Sequence, residues 1–267
     1  MKRYIDYYLT NMKIAIMDQF QHRAQNYFYL TGRIIEPVIY LAVWTTIARQ
    51  QGGSVGGYTV GGLAAYYIVW TLVRQMNIGR TPYDWEHTLQ DGSFASRLLW
   101  PVSALHYDLS YFAGWKFVSI LFWLPVAAIL TLIFKPSIHS SGWQVAVFFI
   151  AIWAAYAIRQ LILIFMGIIT FWTTRVTAIF DLVFALELIF SGRLVPMTFM
   201  PAWVQRLAFW MPFQWTFYFP IQSLVGNPAP IDLLTGLGMQ VLWIVAGWLA
   251  VRLFWSMSVR RFTSVGN

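Results

Sequence analysis

The sequence predicts an all-α protein that crosses a membrane several times. Three observations carry that reading. Of the 267 residues, 59% are hydrophobic and only 10% are charged, far from an ordinary globular composition. Apolar runs of membrane-spanning length, about 20 residues for a hydrocarbon core of about 30 Å, recur along the whole chain. The basic residues flank these runs, as membrane topology requires, so the net charge of +8 predicts no nucleic-acid partner.

The elements follow in order. Across residues 3–28, Ile5, Leu9, Met12, Ile16, Phe20, Ala24 and Tyr27 recur at three- and four-residue steps. Asp6, Lys13, Asp18 and His22 take the other faces. This pattern predicts an amphipathic helix lying in the membrane interface, or one packed on a soluble partner. Six spans are predicted after it. The first, near 34–48, is short and borrows residues from the preceding turn. "QQGGSVGG" is a loop, and the second span covers about 58–76. Residues 77–110 form a polar insert, in which "DGSFASRLLWPVSALHYDLS" reads as a short helix, a Pro stop and a second helix start. The third span, 111–134, contains Pro125 as an expected kink. After the loop "KPSIHSSG" comes a fourth span, about 143–172, interrupted only by Arg159 and Gln160. The fifth runs to about 190, a Pro-rich segment fills 191–230, and the last span covers 233–255. The whole chain reads as one transmembrane domain.

Orientation follows from the basic residues. With a cytoplasmic N-terminus, thirteen Lys and Arg fall on the inner side; Arg49, Lys135, Arg193 and Arg206 fall outside, and Arg159 lies within the membrane. Both termini and the 77–110 insert are therefore expected in the cytoplasm. The start of the chain lacks the early apolar core of a cleavable signal peptide.

Several chemistries are disfavoured. No Cys is present, so disulfides and thiolate metal sites are excluded. None of the four Lys follows a Gly, so there is no phosphate-cradling Gly-Lys-Ser/Thr loop. The four His, at 22, 87, 106 and 139, show no metal-ligand spacing. GxSxG and HExxH elements are absent. Neither a metal site nor catalysis is expected of this chain.

Charges at membrane depth are the sharper signal. Counted from the turn at Arg175, at about 1.5 Å per residue, Arg159 lies about 24 Å up the fourth helix, Glu187 about 18 Å up the fifth, and Asp181 about 9 Å. An Arg159–Glu187 pair is predicted, either fixing helix packing or lining a pathway. Arg33 and Glu36, one turn apart, are placed to pair locally. Gly57 and Gly61 form a small-xxx-small pattern suited to close helix contact. The segment "SGRLVPMTFMPAWVQRLAFWMPFQWTFYFP" carries Pro196, Pro201, Pro212 and Pro220, so it is not one straight span. "PAWVQRLAFW" reads as a short helix with Pro at its first turn. The segment is either a pair of short re-entrant helices or an interfacial loop.

Two segments together resemble a known family. "DGSFASRLLWPVSAL" is similar to a pattern of Gly, a Leu pair, then Pro and Ser. Ser191-Gly192, Pro196, Pro201 with Trp203, and Pro212-Phe213 are similar to the same family's outer pattern. The layout, over essentially the whole chain, resembles the permease subunits of ABC-2 type ATP-binding-cassette transporters. That resemblance implies a coupling segment docking on a separate ATPase: Asp91 and Arg97 as rim charges, Phe94, Leu98 and Leu99 as apolar contacts, ending at Pro101. It implies that ATP is bound by the partner, with no cofactor on this chain. It also implies a second permease, identical or homologous, an outer gate at Pro196, Pro201, Trp203, Pro212 and Phe213, export as the usual direction, and a bacterial inner membrane with its lipids. Arg159, Asp181 and Glu187 match no family motif and rest on burial. A passive channel or secondary carrier is the alternative, and a membrane scaffold the weaker one. A carrier would be expected to show midplane polar residues in broken helices and inverted repeats.

Overall fold

A computed structural model describes residues 2–21, 23–173 and 176–261. Among the described residues, eleven α-helices make up nearly all of the regular structure. α1 (Lys2–Gln21) and α2 (Arg23–Gln50) lead to a two-residue hairpin, β1 (Ser54–Val55) and β2 (Tyr58–Thr59). α3 (Val60–Asn77) follows, then two short helices of the polar insert, α4 (Thr81–Gln90) and α5 (Phe94–Leu98). α6 (Ala104–Phe134), α7 (Gly142–Ile169) and α8 (Thr177–Phe190) come next. Short pieces α9 (Ala202–Trp210) and α10 (Tyr218–Val225) precede α11 (Pro230–Arg261).

By length and composition, α6, α7 and α11 can each cross a membrane. α8, with 14 residues, is only about 21 Å long. Pro125 sits inside an uninterrupted α6. α7 begins with a capping box, in which Ser141 and Gln144 exchange side-chain and backbone hydrogen bonds. The main core joins α2, α3, α6, α7 and α10, with Tyr66, Tyr67 and Trp70 of α3 fully buried at its centre.

The first helix ends earlier than its periodicity predicts, and residues 23–28 extend α2 instead. Its contacts with α6 advance together: Tyr8 with His106, Asn11 with Ser110, Gln19 with Trp115, and Phe20 with Phe122. α1 therefore runs alongside α6 in the same direction. Asn11 and Ala15 are the buried centre of this face, while Ile5, Leu9 and Met17 stay exposed. Gly114 permits the approach, because a Cβ there would stand 2.4 Å from the Met12 carbonyl oxygen.

One local reading changes. Gly57 belongs to the hairpin turn with φ +84, not to a helix, and nothing lies within 4 Å of where its Cβ would be. It forms no helix contact with Gly61, which instead packs on Ser137. The expected Arg33–Glu36 pair involves a side chain outside the described residues, as does Arg175 at the inner turn. Glu36 pairs with Arg74.

Candidate coupling segment and buried charges

The polar insert is fastened to the ends of the long helices. Trp85 of α4 and Phe94 of α5 are fully buried, packed with Leu105, Leu161, Ile164, Ile168 and Val251 of α6, α7 and α11. Phe94 meets Trp85 at 5.1 Å and Phe171 at 5.3 Å between ring centroids, both edge-on, the favoured aromatic geometry. Trp85 Nε1 donates to Asp108 at 2.8 Å, so its one polar atom is satisfied inside the cluster. α4, a ten-residue helix with Pro82 in its first turn, is an element the polar composition of the insert concealed.

This placement corrects the expected role of Phe94. A ring with no exposure cannot be an apolar contact for a partner; it anchors α5 to its own chain. Leu98 also leans on this cluster. Leu99 is the opposite case, 86% exposed, beside Trp100 and Pro101, which are exposed too. Trp100 rests edge-on against Tyr107 at 5.0 Å. Arg97 covers the Phe94 ring, 5.7 Å from its centroid. Asp91 accepts the Ser93 amide at 2.8 Å and lies 3.4 Å from His87. The bonds to Ser93 hold its carboxyl below the ordinary carboxylate range.

The C-terminal end of α3 is gripped by buried polar side chains. Lys116 of α6, with no exposure, donates to the carbonyls of Gln75, at 3.0 Å, and Ile78. Carbonyls at a helix C-terminus lack intrahelical donors, and a cation there is favoured. From α7, Arg159 Nε donates to the Asn77 carbonyl at 3.3 Å, and Gln160 donates to Thr81 at 2.8 Å. Arg159 Nη1 pairs with Glu187 of α8, whose side chain is 1% exposed. Both charged residues are thus brought together, with the guanidinium also 5.2 Å over the Phe184 ring. Asp181, two turns earlier on α8, is exposed and stands apart from this pair. The grip of Lys116 on α3 escaped sequence reasoning, which used that residue only for orientation; its spacing inside an apolar run was the available signal.

A family model described as ABC-2 family transporter protein matches residues 34–266. The chain belongs to that family. A search of curated proteins finds no match. Members of this family are the transmembrane components of ABC transporters, and the family in general implies ATPase partner subunits. α1 lies ahead of the matched residues.

Residues 191–225 of the permease have the broken form their prolines predict. Pro196 and Pro212 each open a single 3-10 turn, and Pro201 caps α9. Gly192 takes φ +78, a left-handed turn that favours Gly, and a Cβ there would sit 2.8 Å from Tyr218 Cβ. Around it Tyr66 donates to the Gly192 carbonyl at 2.8 Å, Tyr67 to Leu194 at 3.3 Å, and the Tyr218 amide to Ser191 at 3.0 Å. Asn77, the last residue of α3, donates to Thr216 at 2.8 Å, whereas Gln144, in the first turn of α7, donates to Gly226 at 3.1 Å. α10 therefore climbs from the level of α3's far end to α7's beginning. Phe213 is buried, while Trp203 and Trp210 are 59% and 72% exposed on one face of α9. Arg193, expected on the outer side, instead lies 3.9 Å from Glu36 on α2, at the level of Arg74. The turn at Gly192 carries it there.

Proposed function

We propose that this ABC-2 chain is the permease subunit of an exporter in a bacterial inner membrane, with both termini cytoplasmic. Two permease chains, identical or homologous, form the pathway, and a separate ATPase drives it. The observation that carries the reading is the contrast between Phe94 and Leu99. Five residues apart, one is fully buried in a cluster spanning α4, α6, α7 and α11, and the other is 86% exposed. An exposed docking residue rigidly tied to three long helices is suited to carry force from a nucleotide-driven partner into the membrane.

In this reading α2, α3 and α8 complete six spans with α6, α7 and α11. Residues 191–225 form the re-entrant outer element, supported by the opposed Asn77–Thr216 and Gln144–Gly226 bonds. Pro196, Pro201, Trp203, Pro212 and Phe213 shape that outer gate. Asp91 and Arg97 rim the docking surface around Leu99 and Pro101, Leu98 supports it, and Phe94 fixes its position.

The test is purification of the tagged chain from its own cells in mild detergent. An ATPase subunit should accompany the wild type and be lost from Leu99→Asp, whose melting temperature stays that of the wild type because Leu99 is 86% exposed. An ATPase retained by Leu99→Asp would remove the docking role, and its absence from the wild-type preparation would remove the coupled-permease reading.

A further inference from the structure

Among the described residues outside the coupling segment, five charged side chains from α2, α3, α7, α8 and the turn after α8 form a group. Arg74 pairs with Glu36, and Arg159 pairs with Glu187. Arg193 adds a third guanidinium, its Nη2 3.9 Å from Glu36, while its Nε is buried without a hydrogen-bond partner. Among the described residues the group holds three cations against two carboxylates, leaving one positive charge in excess. Arg193 is close enough to repel both Arg74 and Arg159. An excess like charge in an apolar layer is costly unless an anion answers it.

The group is closed on one side and open on the other. Arg159 and Glu187 are 9% and 1% exposed in their side chains, but Arg193 and Glu36 are 25% and 32% exposed. Glu36 and Arg74 each lie 14 residues from the outer ends of α2 and α3, about 21 Å down at the helical rise. That places the opening in the inner half of a core about 30 Å thick. From it, Ile35, Ile39 and Val43 run up one face of α2 at four-residue steps, 61%, 53% and 46% exposed. A charged mouth toward the inner face, continued by an apolar stripe toward the midplane, has the polarity of an anionic amphiphile in the inner leaflet.

We propose that Arg193, with Arg74, binds the phosphate or carboxylate of an anionic amphiphile whose hydrocarbon lies along Ile35, Ile39 and Val43. Guanidinium groups suit this role because their donors match the oxygens of both anions. Glu36 holds Arg74 in place and limits the excess to one positive charge. The site needs no ATPase, so it stands or falls separately from the coupling reading.

Native mass spectrometry of the full-length chain in neutral detergent tests it, with phosphatidylglycerol, phosphatidylcholine and inorganic phosphate as probes. The wild type should retain phosphatidylglycerol over phosphatidylcholine by about ten-fold, the size of one charge-assisted hydrogen bond. Arg193→Gln should bring that ratio near one and Arg193→Lys should keep most of it, while Arg206→Gln, on the exposed face of α9, should change nothing. Displacement of the lipid by inorganic phosphate would show that the charge alone is recognised; failure to displace it would assign the site to an amphiphile. Equal retention of the two lipids by the wild type, or unchanged selectivity in Arg193→Gln at an unchanged melting temperature, overturns the proposal.

Discussion

Replacing Glu187 with Ala strips the counterion from Arg159, whose guanidinium is held beneath α3 by the Asn77 carbonyl and beside the Phe184 ring. Removing one member of a buried pair costs about 3–5 kcal/mol, because the remaining charge stays desolvated. For a chain of this size each kcal/mol moves the melting temperature by about 2–4 °C, so Glu187→Ala should lower it by about 6–20 °C. The double variant Arg159→Met, Glu187→Leu removes both charges and leaves only the Asn77 carbonyl without its donor, a loss of about 1–3 kcal/mol. It should therefore melt above the single variant. Exchanging the two charges does worse than neutralising them, because a carboxylate at position 159 would face that carbonyl. Thermal unfolding in neutral detergent, followed by tryptophan fluorescence, gives the ranking. Should Glu187→Ala melt within about 2 °C of wild type, the pair contributes nothing beyond solvated charges; should the exchanged pair match the wild type, the contact with the Asn77 carbonyl contributes nothing.

Three further outcomes are expected. Gly192→Ala forces a left-handed residue and a clash with Tyr218 Cβ at 2.8 Å; it should destabilise by about 1–3 kcal/mol, measured by the same unfolding. Gly114→Val places a side chain against the Met12 backbone, so α1 should detach from α6 and be cut faster by limited proteolysis, with the remaining helices intact. Phe94→Ala should cost about 3–5 kcal/mol as a fully buried ring is lost, whereas Leu99→Asp leaves stability unchanged; equal effects would contradict their opposite burial.

Much of this molecule was legible before its structure. Apolar runs and their Gly, Pro and Arg punctuation located the long helices, since each has to satisfy its backbone internally in a hydrocarbon layer. Counting residues from a shared turn brought Arg159 opposite Glu187, because the helical rise is fixed. Pro101 marked the stop between α5 and α6.

Where side chains point across elements was decided elsewhere. Phe94 and Leu99 are both apolar residues in one polar insert, and no periodicity over five residues separates them. Only the docking of α4 and α5 on α6, α7 and α11 buries one and leaves the other in the open. Arg193 follows α8 in sequence and would sit outside by counting, yet the turn at Gly192 aims it at Glu36 on α2. Lys116 reads as a topology marker until α3 ends beside it and offers unpaired carbonyls. The sequence by itself determined the class, the helices and the family resemblance, because hydropathy, fixed helical geometry and turn chemistry act over short stretches. The tertiary structure decided the partner of each charge and the exposed face of each short helix, because those depend on contacts between different elements, tens of positions apart or more.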